Sequence, residues 1–139
     1  MFKDKKTIQL KVLDGIYSVC QNSRLSKPEL DFEFLKQDDI LSITYAQDEI
    51  SIVTREEYDH KFEKVEKGWK CIQVVGPLDF GIIGLLSKIA NILKKIKVSI
   101  FVLSTYNTDY ILIKKENLDK SIKNLIKNRF EICNQKYKS

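Results

Sequence analysis

The single histidine, His60, stands in a charged stretch from Arg55 to Lys67 with no serine or cysteine motif around it. A nucleophilic relay needs a base within hydrogen-bond reach of the residue it activates, and no such pair is marked here. Cys20, Cys71 and Cys133 are odd in number and far apart, so they outline neither a disulfide framework nor a Cys-x-x-Cys metal site. Apolar neighbours make Cys71 and Cys133 read as ordinary strand residues. The adjacent acids Asp38/Asp39 and Asp48/Glu49 have the pattern of solvated turns. No nucleophile elbow, phosphate-binding glycine loop, zincin motif or carboxylate–histidine cluster at metal-ligand spacing occurs. These residues predict a non-catalytic protein with no metal and no cofactor.

Binding chemistry is concentrated in one segment, Gly76-Pro77-Leu78-Asp79-Phe80-Gly81-Ile82-Ile83-Gly84-Leu85-Leu86, which holds three of the five glycines. It joins a predicted strand to a predicted helix and presents backbone N–H groups at the helix N-terminus. Such an end has unpaired donors and partial positive charge, which suits a carboxylate or phosphate. Glycine also lets a ligand approach the main chain closely. The same glycines equally suit a tight turn, with Asp79 as a helix cap.

A repeat organises the elements around this loop. Residues 43–53 and 104–114 align at a constant offset of 61, with Thr44/Thr105, Tyr45/Tyr106, Asp48/Asp109, Ile50/Ile111 and Ile52/Ile113 identical. Each copy alternates apolar residues on both sides of a turn, as a hairpin with one buried face does. The chain therefore reads as a duplicated α+β unit, residues 1–67 a degenerate N-terminal half and 68–139 a complete C-terminal one. Asp14-Gly15 predicts a two-residue hairpin turn between strands at 8–13 and 16–19. Residues 21–39 read as loop, and 55–67 as a short helix or linker. From Trp69 the order is β-α-β-β-α-β: a strand at 69–75, a helix through Ile82, Leu85, Leu86, Ile89, Ile92, Leu93 and Ile96, and a strand at 98–103 read as central and buried on both faces. A strand at 110–114, a helix at 117–128 ended by a left-handed Asn128, and a strand at 130–133 follow. That order is the ferredoxin-like plan, an antiparallel sheet with helices on one face.

At 139 residues the chain supports one compact domain or two small fused ones. No apolar run approaches the roughly 20 residues that cross a bilayer, and the basic N-terminus has no apolar signal segment behind it, so a cytoplasmic, non-membrane protein is expected. Residues 1–85 carry 12 basic and 15 acidic groups, residues 86–139 carry 12 and 4. The lysines of the second part fall at helical spacing opposite the apolar stripes, without interleaved aromatics and with a single arginine, Arg129. A solvated helix surface accounts for them better than nucleic-acid binding, so no nucleic-acid partner is expected.

Gly76-Pro77-Leu78-Asp79-Phe80, Gly84-Leu85-Leu86, Ser99-Ile100-Phe101 and the run from Leu103 to Ile113 together resemble the ACT-domain family. The likeness is to its small tandem members, related to the ACT regions of aspartate kinases and to CASTOR-type arginine sensors. It is close over 68–133 and looser over 7–67. The resemblance implies the βαββαβ ACT fold and a regulatory sensor that binds a small molecule, an amino acid by the family's habit, for an unidentified protein partner. It also implies a homodimer, because ACT units complete their sites by pairing. Carried over by position, the ligand-binding residues are Asp79, Phe80, Gly81, Ile82, Ile83, Gly84 and Leu85, with Thr105, Tyr106, Asn107, Thr108 and Asp109. The N–H groups around Ile83, Gly84 and Leu85 would take the α-carboxylate, and Asp109 an ammonium or guanidinium. Lys97 departs from the family's pattern: it stands where the family has glycine after the first helix, so a left-handed C-cap there would cost roughly 1 kcal/mol, and the helix end is open at this point. The alternative function is an interaction module that uses the fold for association without a ligand.

Overall fold

The computed structural model describes residues 7–25, 40, 42–75 and 84–133. In chain order its strands are β1 (Ile8–Val12), β2 (Tyr17–Asn22), β3 (Ser42–Tyr45), β4 (Ile50–Arg55), β5 (Lys64–Val74), β6 (Phe101–Ser104), β7 (Asp109–Lys114) and β8 (Phe130–Ile132). The helices are α1 (Leu85–Lys95) and α2 (Leu118–Lys127), and a 3-10 helix covers Glu56–Lys61. Two compact units result: unit 1 is Met1–Val12 with Ile72–Ser139, and unit 2 is Leu13–Cys71.

Unit 1 follows from its apolar periodicities. Leu85, Ile89, Ile92 and Leu93 make the buried stripe of α1, and Leu118, Ile122 and Leu125 that of α2. Both stripes enter one core with Leu10, Val12, Ile72, Val74, Ile111, Ile113, Phe130 and Ile132, so the helices cover one sheet face. Each such side chain contributes about 1.5–3 kcal/mol on burial. From β5 the order is β-α-β-β-α-β, as the sequence predicts, and the fold is ferredoxin-like α+β. The strand order is β8-β1-β5-β7-β6. Strand β1 enters between the first and last strands of the plan, antiparallel to β5 and parallel to β8, so the sheet is not wholly antiparallel.

Both helix ends close on a left-handed residue. Lys97 has φ 62°, its N–H donates to the Lys94 carbonyl at 2.9 Å, and the Val98 N–H donates to the Leu93 carbonyl at 3.0 Å. That is a Schellman closure built on lysine in place of glycine. At the end of α2 the left-handed residue is Arg129 (φ 73°), not Asn128, which keeps φ −100° and donates its side-chain Nδ2 to the Asn124 carbonyl.

Unit 2 has the order β3-β4-β2-β5, all antiparallel, which is the ferredoxin-like order in full. Its core is small: Cys20, Ile50, Ile52 and Phe62, with Ile43 and Val65 against them. The expected hairpin over Asp14-Gly15 does not form. β1 pairs with β5 and β8, β2 with β4 and β5, and the two residues make a bend. Gly15 does take positive φ (87°), and the Arg55 guanidinium fills the space a Cβ would need. The stretch read as a short helix or linker holds the 3-10 helix, followed after Phe62 and Glu63 by β5, which begins at Lys64 and not at Trp69. Its alternation is hidden by charged residues on the exposed face.

Among the described residues strand β6 pairs with β7 alone, as an edge strand, and is only half-buried, so the central reading of 98–103 is corrected. The doubly buried strand is β7, where Ile111, Leu112 and Ile113 are each at most 1% exposed. An apolar run cannot by itself distinguish an edge from a centre, because that depends on which strands arrive on either side.

Candidate functional site

The site in unit 1 is assembled where three elements end. β5 stops at Val74, α1 starts at Leu85, and β6 turns into β7 between Ser104 and Asp109. Only residues 96–100 separate α1 from β6, so the C-terminus of α1 adjoins the start of β6. Its N-terminus then faces the end that carries the β6–β7 turn, one helix length of about 16 Å away.

Gly84 is the N-cap of α1, with φ 78° and ψ 9°. Glycine is required there by the left-handed backbone, not by crowding, since an added Cβ would meet no described atom within 4 Å. The first helical bond runs from the Lys88 N–H to the Gly84 carbonyl at 2.8 Å. The N–H groups of Leu85, Leu86 and Ser87 precede that ladder. No acidic residue lies in the first turn, so nothing on the helix itself offsets its positive end.

The turn is held from within. The Thr105 N–H donates to the Thr108 carbonyl at 2.8 Å, and the Thr105 hydroxyl donates to the same oxygen at 3.1 Å. The Ser104 hydroxyl donates to Asp109 Oδ1 at 2.6 Å, which orients that carboxylate. The buried Thr108 hydroxyl donates to the Val74 carbonyl at 2.5 Å. This bond fixes the turn against the end of β5, the point from which the chain leaves toward α1.

Of the sequence-predicted site residues, Asp79, Phe80, Gly81, Ile82 and Ile83 lie outside the described residues. Gly84 and Leu85 stand at the helix start, where Leu85 offers its N–H while its side chain enters the core. Thr105, Tyr106, Asn107, Thr108 and Asp109 are brought together in the turn and the first residue of β7. Tyr106 and Asn107 are exposed, Asp109 is half-buried, and Thr108 is occupied by Val74. Sequence reasoning missed Ser104. Its signal was available: in a hairpin closed around 105–108, it is the residue facing Asp109 across the strands.

The hairpin of unit 2 differs here. Its closing pair is Tyr45 and Ile50, so Ile50, 1% exposed, stands where unit 1 has Asp109. Asp48 lies inside the turn, one residue before Glu49, whose carboxylate accepts from Gln21 Nε2 at 2.8 Å.

Elsewhere in unit 2, Asp59 is buried and accepts from the Ser18 hydroxyl at 2.7 Å and from Lys67 Nζ at 2.8 Å. Burial pushes its carboxyl up, but the hydrogen bonds from Lys67 and Ser18 outweigh that and hold it below the usual value. Burial, reinforced by Asp59, pushes the Cys20 thiol up to about 12, and burial does the same for Cys71. Neither provides a thiolate at neutral pH. His60 is exposed. Among the described residues no group of three histidines, cysteines or acids could hold a metal ion, and no helix is long and apolar enough to cross a membrane.

Residues 64–127 match the family model of the ACT domain. This stretch belongs to the ACT-domain family. It runs from the start of β5 to the end of α2, and so contains the helix start and the turn described above. The whole chain is similar to a protein from Agrobacterium tumefaciens, with 27% identity, a TM-score of 0.77, and coverage of 92% of this chain and 93% of that one. It shares its fold with a putative C-terminal regulatory domain of aspartate kinase from Porphyromonas gingivalis (19% identity, TM-score 0.55, 88% and 96% covered). The aspartate kinase of Clostridium acetobutylicum, described as an allosteric enzyme, shares it too (15% identity, TM-score 0.64), with 93% of this chain covering 36% of the kinase. No curated protein matched the sequence.

Proposed function

We propose that the protein is a non-catalytic regulatory module whose ACT domain binds a small zwitterion, an amino acid, at the end of unit 1. The observation that carries this reading is the Thr108–Val74 hydrogen bond. It holds the turn bearing Asp109 at the end of β5, the same end at which α1 presents its first N–H groups. A donor cluster and a carboxylate at one end of a domain suit the two charges of an amino acid. Likeness to the regulatory region of aspartate kinases supports a regulatory output, delivered to a protein partner. The buried thiols and exposed histidine support the non-catalytic part. A second reading, an interaction module without ligand, is favoured by the half-buried apolar strand β6, which among the described residues lies at the edge of its sheet.

A thermal-shift screen with the twenty amino acids separates the two, because a ligand that binds only the folded protein raises its melting temperature. Under the sensor reading at least one amino acid shifts it. For that amino acid, Asp109→Asn weakens binding by roughly ten- to a hundredfold, the loss of one charge-assisted contact worth about 1.5–3 kcal/mol. A flat screen leaves the association reading, and full affinity in a folded Asp109→Asn variant reduces Asp109 to a turn residue.

A further inference from the structure

The β6–β7 ladder ends on a rung unlike those below it. Its pairs are Phe101 with Leu112, Val102 with Ile111, Leu103 with Tyr110 and Ser104 with Asp109. Side chains alternate between sheet faces, so Ser104 and Asp109 share the face of Val102 and Ile111. That is the face α1 and α2 cover, since both of those apolar residues belong to the core beneath the helices. The last rung on this face is therefore a hydroxyl and a carboxylate, with Ser104 exposed and Asp109 half-buried. The Ser104 hydroxyl donates to Oδ1 at 2.6 Å, the length of a charge-assisted O–H···O bond. Among the described residues Asp109 has no ion pair, and this bond is the one its carboxylate accepts, which leaves Oδ2 to an incoming donor.

Turn closure does not require this pair. In unit 2 the corresponding hairpin closes on Tyr45 and Ile50, with the Ala46 N–H donating to the Glu49 carbonyl at 2.9 Å and no hydroxyl–carboxylate pair on the rung. Unit 1 has the same closing bond, from the Thr105 N–H to the Thr108 carbonyl, and the Thr108 tether to Val74 besides. The Ser104 bond is thus an addition that acts on the carboxylate, and it bears on which cation that carboxylate can take. A guanidinium meets a carboxylate as a planar fork that uses both oxygens, whereas an ammonium is a compact charge that one oxygen satisfies. Resting on the amino-acid reading of this site, we propose that Ser104 is a positioning residue: it occupies Oδ1 of Asp109, leaves Oδ2 to the ligand, and so makes the site select an α-ammonium over a guanidinium.

Isothermal titration calorimetry on the full chain tests this with the twenty L-amino acids and, for each that binds, the analogue whose α-ammonium is replaced by a guanidinium. The wild-type protein is expected to prefer the amino acid by roughly tenfold or more, the difference between a satisfied and a half-satisfied charged contact. Ser104→Ala frees Oδ1. It is expected to weaken the amino acid roughly three- to tenfold and to narrow the preference to about threefold or less, since both oxygens can then receive the fork. Ser104→Thr keeps the hydroxyl on a residue that suits a strand, and restores both affinity and preference. A distorted turn would weaken both molecules together, so an unchanged ratio in Ser104→Ala overturns the proposal. So does a wild-type protein that takes the guanidinium analogue as well as the amino acid, or a Ser104→Thr variant no better than Ser104→Ala. Each of these outcomes leaves the amino-acid site standing. Binding of none of the twenty by the wild-type protein overturns the amino-acid reading itself, and this selection with it.

Discussion

At the residue scale, three positions work against local preference, and each predicts a measurable gain or loss. Lys97 and Arg129 hold left-handed backbone at the ends of α1 and α2. Side chains with a Cβ are disfavoured there, so Lys97→Gly and Arg129→Gly are each expected to stabilise by about 0.5–1 kcal/mol in urea unfolding. The buried Ser121 hydroxyl finds no hydrogen-bond partner among the described residues. Ser121→Ala is expected to raise stability by about 1 kcal/mol, by removing an unsatisfied group and improving helix propensity. Asp59 acts in the other direction. Its folded carboxyl lies below the ordinary value because of Lys67 and Ser18, against the pull of burial. Its contribution is therefore complete above the unfolded-state value of about 3.9 and fades as pH falls through the lower folded value. Asp59→Asn should cost about 1–3 kcal/mol near neutrality and flatten the acid limb of a plot of urea midpoint against pH.

At the element scale, the two hairpins carry the most instructive difference. Aligned by identity they are 61 residues apart, but their turns, 46–49 and 105–108, are 59 apart. A shift of two residues leaves every strand side chain on its original face, because the side-chain period of a strand is two. Ile50 and Ile52 therefore lie on the face equivalent to that of Ile111 and Ile113 under either alignment, and the apolar pattern was legible while the register was not. The consequence falls on the acids. Asp48 occupies the turn, and the position facing Asp109 across the duplication is filled by buried Ile50. Asp48→Asn is thus expected to leave both stability and amino-acid affinity within error in calorimetry, whereas Asp109→Asn lowers affinity. Ile50→Ala should cost about 2–4 kcal/mol, as a truncation in the small core of unit 2. The order β3-β4-β2-β5 gives unit 2 the ferredoxin-like strand order, with a 3-10 helix between β4 and β5.

At the scale of the whole molecule, the chain's first strand belongs to its last unit. β1 supplies Leu10 and Val12 to the core beneath α1 and α2, and it separates β5 from β8. A fragment of residues 68–139 lacks that strand, so it is expected to show no cooperative unfolding transition by circular dichroism; a sharp two-state transition for the fragment would contradict the topology. The sequence by itself determined what depends on neighbours within a few turns of chain. The stripes of α1 and α2, the two hairpins and the β-α-β-β-α-β order after residue 69 were all readable from periodicity. Only the tertiary structure decided what depends on which distant strands meet. It made β6 an edge and β7 a centre, and it gave β1 a place between β5 and β8. It also set the registers that put Asp109, and not Asp48, at the mouth of a turn tied to Val74. Local patterns mark which face of a strand is buried, but strand pairing is a choice among partners far apart in sequence, and backbone hydrogen bonds are the same for every partner.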